Sequence, residues 1–208
     1  MPVMYLFRLA TPAPDHGSAL NDGVASVVLF TIFALHHSIM ARTGAKAWIT
    51  RLVPADLERS VYVWIASLLF LAVCLMWQPL PGIVWQVRGP GGILYIVQFF
   101  GVAVTIAAAR IVGVLELAGV TPPDASRPVE FRADGPFGIV RHPIYLGWVL
   151  MVFATPTMTT SRLLFAVVST IYLVAAIPLE ERSLVAAFGD KYRTYQQQIR
   201  WRLIPGLW

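Results

Sequence analysis

Five apolar stretches, divided by clusters of Lys and Arg, constrain this chain more than any other feature. They run over about 23–40, 61–77, 92–109 (with apolar residues on to Leu115), 144–154 and 163–179. A helix needs ~20 apolar residues to cross a hydrocarbon core, so four of these predict full spans and the fourth is marginal. The chain is 57% hydrophobic and 13% charged, with a mean hydropathy of +0.67, which is too little polar surface for a water-soluble domain. The expected fold is all-α: a polytopic membrane helical bundle of five transmembrane helices in a single domain, residues 1–208. Residues 1–120 form a three-span N-terminal part, and residues 135–206 form a helical hairpin with a tail. The hairpin turns tightly at Thr155-Pro156-Thr157. Because the fourth stretch is short, Pro143 and the loop before it are expected to dip into the protein, where irregular backbone is tolerated only if covered.

Charge sets the expected orientation. From the N-terminal tail onward, the successive non-apolar segments carry 1, 4, 1, 4, 1 and 5 Lys or Arg. Thirteen of 16 therefore fall on one side, including Arg42, Lys46, Arg51, Arg59, Arg110, Arg127, Arg132 and the five basic residues after Leu179. By the positive-inside bias that side is cytoplasmic, so the N-terminus lies outside and the C-terminus inside. Trp48, Trp77, Trp85, Trp201 and Trp208 fall near the expected interfaces. The net charge of +5 then reads as basic cytoplasmic loops in contact with membrane lipids, not as a nucleic-acid surface. Cys74, the one cysteine, lies among apolar residues and reads as core. No secretory leader is expected, since Pro2, Pro12 and Pro14 interrupt the first twenty residues. The expected location is the inner membrane of a bacterial cell, and no protein partner is indicated. After Leu179, the residues Leu184, Phe188, Tyr195 and Ile199 recur at helical spacing, which predicts a cytoplasmic amphipathic helix with a weak point at Gly189. The Pro-rich segment 121–136 is the only linker-like stretch.

Chemistry concentrates at the expected cytoplasmic end. The run Gly138-Ile139-Val140-Arg141-His142-Pro143-Ile144-Tyr145-Leu146-Gly147 puts a cation and an imidazole just before a helix-starting proline. Exposed N–H groups at such a start attract a carboxylate or phosphate. The alternative is an arginine reaching lipid phosphate, with His142 as a cap. Glu180 and Glu181 close the fifth stretch, either as a solvated flank or as holders of a cationic or hydroxyl-bearing ligand. Tyr192 and Tyr195 either stack on a planar ring or pack in an interface. His36 and His37 end the first stretch on the same side, and no third residue at ligand spacing points to a metal. Gly89-Pro90-Gly91-Gly92 follows no predicted strand, so it reads as a turn and not as a nucleotide loop.

Arg141-His142-Pro143-Ile144-Tyr145-Leu146-Gly147, Glu180-Glu181, Phe188-Gly189-Asp190-Lys191-Tyr192, Tyr195 and Ile204-Pro205 together resemble the isoprenylcysteine carboxyl methyltransferase and phospholipid methyltransferase superfamily. That resemblance implies an integral membrane enzyme using S-adenosyl-L-methionine. It implies cofactor contacts at Val140, Arg141, His142, Pro143, Tyr145, Leu146, Gly147, Glu180, Glu181 and Tyr192. The runs 37–42, 58–63 and 154–159 are similar to the methanethiol S-methyltransferase and NnrU-like branch. Carboxyl methyltransferases of the superfamily carry an arginine four residues before the first glutamate, and this chain has Ala176 there. The implied reaction is methylation of a small thiol such as methanethiol, with His37 or Glu181 as the proton acceptor. The alternatives are a prenylcysteine carboxylate or phospholipid amine as acceptor, or a non-catalytic NnrU-like membrane protein. A small lipid-soluble thiol would enter from the bilayer and the charged cofactor from the cytoplasm.

Overall fold

The computed structural model describes residues 9–14, 17–40, 50–51, 53–54, 57–120 and 131–208. Arg8, Arg42, Lys46, Trp48, Arg127 and most of the linker-like segment lie outside the described residues. Helix α1 spans Ala19–Met40, α2 Glu58–Met76, α3 Gly92–Val112, and the one-turn α4 Val114–Leu117. Helix α5 spans Pro143–Phe153, α6 Thr160–Phe188 and α7 Asp190–Gln198. Helices α1, α2, α3 and α6 are long and apolar enough to cross a membrane, while α5 has 11 residues. Most large apolar side chains on the spans point outward, as they would toward lipid.

The architecture is helical with one addition. Strand β1, Ile83–Gln86, pairs antiparallel with β2, Thr157–Thr159. The expected tight turn of the hairpin is therefore a strand, and Gly89-Pro90-Gly91-Gly92 does follow one. Val, Ile and Thr suit an extended backbone, and the pairing satisfies peptide groups that would otherwise be exposed near the bilayer. The Gly89–Gly92 segment still turns the chain, with Gly89 at φ 74°.

Two departures matter for the site. The helix of the fifth span does not stop with its apolar stretch at Leu179: α6 continues through Pro178 and the glutamate pair to Phe188. Pro178 removes one N–H from the ladder, which helices in a membrane tolerate because neighbouring groups satisfy the freed carbonyl. The expected tail helix is thus divided between the end of α6 and α7, with Gly189 at φ 58° making the break. Trp77, placed by its position at an interface, is 1% exposed and packs edge-on to Phe165 at 5.2 Å, so it belongs to the core.

The core joins α1, α2, α5 and α6 through Phe30, Ala34, Val73, Trp77, Val152, Phe165 and Ala166. Helix α5 lies against α3 at close range. A Cβ on Gly147 would meet the Thr105 side chain and the Gly101 carbonyl, the latter at 2.6 Å; one on Gly101 would meet the Gly147 carbonyl at 2.7 Å. Small residues permit this approach, which is a main source of helix association where lipid competes for apolar contact. The crossing fixes the short α5 and, with it, the loop that carries Arg141 and His142.

Candidate active site

His142 holds the N-cap position of α5 and Pro143 the first turn, yet the His142 side chain makes no capping bond. Its imidazole turns to the glutamates of α6: Nε2 lies 3.4 Å from Glu181 Oε1 and Nδ1 3.6 Å from Glu180 Oε2. The Tyr145 ring stacks on it at 5.4 Å, and the Tyr145 hydroxyl donates to Glu180 Oε2 at 2.8 Å. Glu180 and Glu181 differ in setting. Glu181 is 5% exposed, whereas the Glu180 side chain is 44% exposed.

Arg141 donates from Nε to Glu181 Oε1 at 2.7 Å. Its Nη1 donates to the carbonyls of Ile199 at 2.8 Å and Arg200 at 3.1 Å, where α7 ends. A guanidinium there satisfies carbonyls that a helix end leaves unpaired and matches the negative pole of the helix. The backbone continues the clasp, with the N–H of Arg141 and of His142 donating to the carbonyls of Trp201 and Arg202, both at 2.9 Å. Gln196 Nε2 donates to Glu181 Oε2 at 3.3 Å, and Arg202 Nε lies 3.4 Å from it. One buried carboxylate is thereby surrounded by two guanidiniums, an imidazole and an amide. Such a group is costly to bury unless it is paired in this way. A surface cavity of about 360 Å³ opens beside Glu181, lined by Pro178, Arg182, Val185, Gln196 and Arg202.

Tyr192 is 1% exposed and its hydroxyl has no hydrogen-bond partner among the described residues. Burial pushes its phenol above the usual value, and the charge of Glu181 adds to this. The Tyr195 phenol is pushed up to about 12 by burial, with Arg141 opposing, and its hydroxyl donates to the Phe137 carbonyl at 2.7 Å.

A second polar group sits at the same end on α1 and α2. His37 Nδ1 lies 2.9 Å from the Tyr62 hydroxyl, and Ser38 Oγ donates to the Tyr172 hydroxyl at 3.2 Å. Tyr172 ties His37 and Ser38 to α6 about two turns before Glu180. The fold thus joins His37, Arg141, His142, Tyr145, Glu180, Glu181 and Tyr192 at one end of the bundle. Val140 is 1% exposed, Pro143 is buried and Leu146 is partly buried, so these support the loop from within. Gly147 faces α3. Tyr62, Tyr172, Gln196 and Arg202 belong to the constellation but were not singled out from the sequence. The available signal was hydroxyl-bearing rings within otherwise apolar spans.

Clustered, mutually paired ionisable groups at one end of a lipid-facing bundle mark a functional site in a membrane protein. Residues 89–191 match the phospholipid methyltransferase family. The chain is 39% identical to methanethiol S-methyltransferase of Mycobacterium tuberculosis, over 89% of this chain and 80% of that protein. It is also 39% identical to methanethiol S-methyltransferase of Pseudomonas deceptionensis, over 88% and 73%. It is 28% identical to human Nurim, over 75% and 65%. The chain belongs to this family of integral membrane methyltransferases, on the branch that holds the methanethiol S-methyltransferases. No solved structure matches it.

Proposed function

We propose that this methyltransferase transfers a methyl group from S-adenosyl-L-methionine to the sulfur of methanethiol or a similar small alkyl thiol. The observation that carries the reading is the juxtaposition of the Glu180–Tyr145–His142 group with His37 and its tyrosines at one end of the bundle, through Tyr172 on the Glu180 helix. One half suits a polar, zwitterionic donor and the other a small apolar acceptor. The names of the relatives supply the choice of sulfur.

The residues fit the donor on three counts. Glu180 is ionisable, half-exposed and held by Tyr145, which suits an ammonium group or a ribose diol. The first turn of α5, with the Arg141 charge beside it, suits a carboxylate. The Tyr192 hydroxyl, without a partner among the described residues, costs ~1–3 kcal/mol as it stands, and a ligand group reaching it would remove that cost. When bound, the donor supplies a methyl group already activated by its cationic sulfonium. Val140, Pro143, Leu146 and Gly147 build the floor that holds these groups in place, and Arg141 positions Glu181 while closing α7 over the site.

His37 has the more direct role on the acceptor side. The thiolate is the reactive form, so the thiol must lose its proton. In this reading His37 donates its Nδ1–H to the Tyr62 hydroxyl, 2.9 Å away, and accepts the thiol's proton at Nε2, which lies farther from that hydroxyl at 3.5 Å. The two halves bring the sulfur and the methyl group into line, and such positioning alone can remove several kcal/mol of the barrier. Glu181 is the second candidate base, but its carboxylate is already occupied by Arg141, Gln196 and Arg202. Ala176 offers no cation to a prenylcysteine carboxylate, which favours a thiol over that substrate. We further propose that the charged end faces the cytoplasm of a bacterial cell, from which the donor enters, while the thiol arrives from the bilayer.

The test is a purified-protein assay with methyl-labelled S-adenosyl-L-methionine and a panel of small thiols, amines and prenylcysteines. Label should appear in the small thioether. Label in a prenylcysteine ester or a phospholipid amine, with none in any thioether, would overturn the acceptor assignment. No transfer to any acceptor would favour a non-catalytic role.

A further inference from the structure

We infer that Phe33 and Phe70 set the length of thiol that the protein methylates. The inference rests on the thiol reading and on His37 as the group that meets the sulfur. His37 lies near the end of α1, and Phe33 is one turn deeper in the bundle. The Phe33 ring stacks on the His37 imidazole with centroids 5.8 Å apart and planes 26° apart. Phe70 of α2 closes behind Phe33 at 5.2 Å. Behind Phe70 stand Trp148 of α5 at 6.1 Å and Phe165 of α6 at 6.5 Å. The sides are closed as well. Tyr62 lies 5.6 Å from the His37 ring and Tyr172 6.5 Å from it.

The imidazole therefore has rings beneath it and on two sides, drawn from α1, α2 and α6. On this proposal a thiol whose sulfur sits at His37 lays its alkyl chain against these rings, and a longer chain has to displace one of them. Rings packed at these separations do not yield cheaply, because protein interiors are close to crystal density. Overpacking by one methylene lowers turnover by about tenfold or more. The wall is specific about position. Phe33 lies next to the imidazole and Phe70 directly behind that neighbour, whereas Phe99 of α3 is exposed on the surface of the bundle.

The experiment compares kcat/KM for methanethiol, ethanethiol, propanethiol and butanethiol in the wild-type protein and in Phe33→Ala, Phe33→Leu, Phe70→Ala and the surface control Phe99→Ala. Activity is normalised to folded protein, and the quantity read is each thiol's rate relative to methanethiol. The wild type should lose about tenfold per added methylene. Phe33→Ala should raise the propanethiol-to-methanethiol ratio by about tenfold or more, Phe33→Leu and Phe70→Ala by less, and Phe99→Ala should leave it unchanged. Because the readout is a ratio, a general loss of stability does not imitate it, and Phe33→Leu keeps most of the packing if the alanine variant fails to fold. Thiol turnover with the same length profile in both Phe33 variants would overturn this inference alone. Absence of turnover with every thiol in the wild type would overturn the thiol reading and this inference with it.

Discussion

Two buried arginines stand at opposite ends of the bundle, each 9% exposed, and they occupy different chemistry. Arg141 meets a carboxylate, the carbonyls closing α7, and a neighbourhood of imidazole and hydroxyl groups. Arg162, in the first turn of α6, donates to Thr155 Oγ1 at 2.9 Å and to the Thr157 carbonyl at 2.7 Å. It meets no carboxylate among the described residues, and its Nε is buried without a partner. Arg162 and Glu181 lie on the same helix, roughly 30 Å apart at 1.5 Å per residue, about one hydrocarbon thickness. Around Arg162 the structure is closed: β1 pairs with β2, the Trp85 indole donates to the Thr155 carbonyl, Thr159 Oγ1 donates to the Leu9 carbonyl, and the Leu80 N–H donates to Ser161. Around Arg141 the structure leaves a half-exposed carboxylate, a phenol without a partner among the described residues, and a cavity. A buried cation is therefore not by itself a sign of function. The difference lies in the neighbours: beside the Arg141 cluster Glu180 stays half-exposed, while the groups around Arg162 bond to one another.

The largest effect should come from breaking the paired end. Glu181→Ala strands Arg141 without its carboxylate and should cost ~3–5 kcal/mol of stability together with all turnover, measured by thermal unfolding in detergent and by the transfer assay. Arg162→Met should cost less, ~1–3 kcal/mol, because only neutral acceptors lose their donor, and turnover per folded molecule should be unchanged. A Glu181→Ala protein as stable and active as the wild type would erase the distinction between the ends.

Smaller changes sharpen it. Tyr145→Phe removes one donor from a carboxylate that water can still reach, so it should weaken donor binding only severalfold, ~0.5–1.5 kcal/mol by calorimetry. The smallest effect concerns pH. The Tyr195 phenol is raised in the folded protein from 10 to about 12, so the fold favours its neutral form. Its stabilising contribution is present in full below pH 10 and is lost as pH rises toward 12. Tyr195→Phe should flatten stability across that alkaline window, which thermal unfolding at a series of pH values would read.

Much of the charged end was legible in the sequence because its residues are consecutive. Arg141 to Gly147 and Glu180-Glu181 stand out as ionisable runs against apolar flanks, and helix ends for α1 to α3 follow from where charge resumes. The partnerships within the site were not legible. That Arg141 closes α7 depends on the tail returning beside the loop, which Gly189 permits but does not announce. The length of α6 was not legible, because Pro178 and two glutamates resemble a helix end, yet the helix continues through them. The opposite end was the least legible. Four-residue and three-residue strands leave hardly any periodic signal, and their pairing joins segments some seventy residues apart. Tyr62 and Tyr172 look like ordinary span residues until tertiary contact sets them beside His37 and Ser38.

The central claim is that the donor binds at the Arg141 end and nowhere near Arg162. Calorimetric binding of S-adenosyl-L-methionine to the wild type, Glu180→Gln and Arg162→Met tests it directly, since Glu180 is exposed enough to be changed without stranding a buried charge. Glu180→Gln should weaken binding at least ~10-fold, about 1.4 kcal/mol, and Arg162→Met should leave it unaltered. Unchanged affinity in Glu180→Gln, or an equal loss in Arg162→Met, would contradict the account.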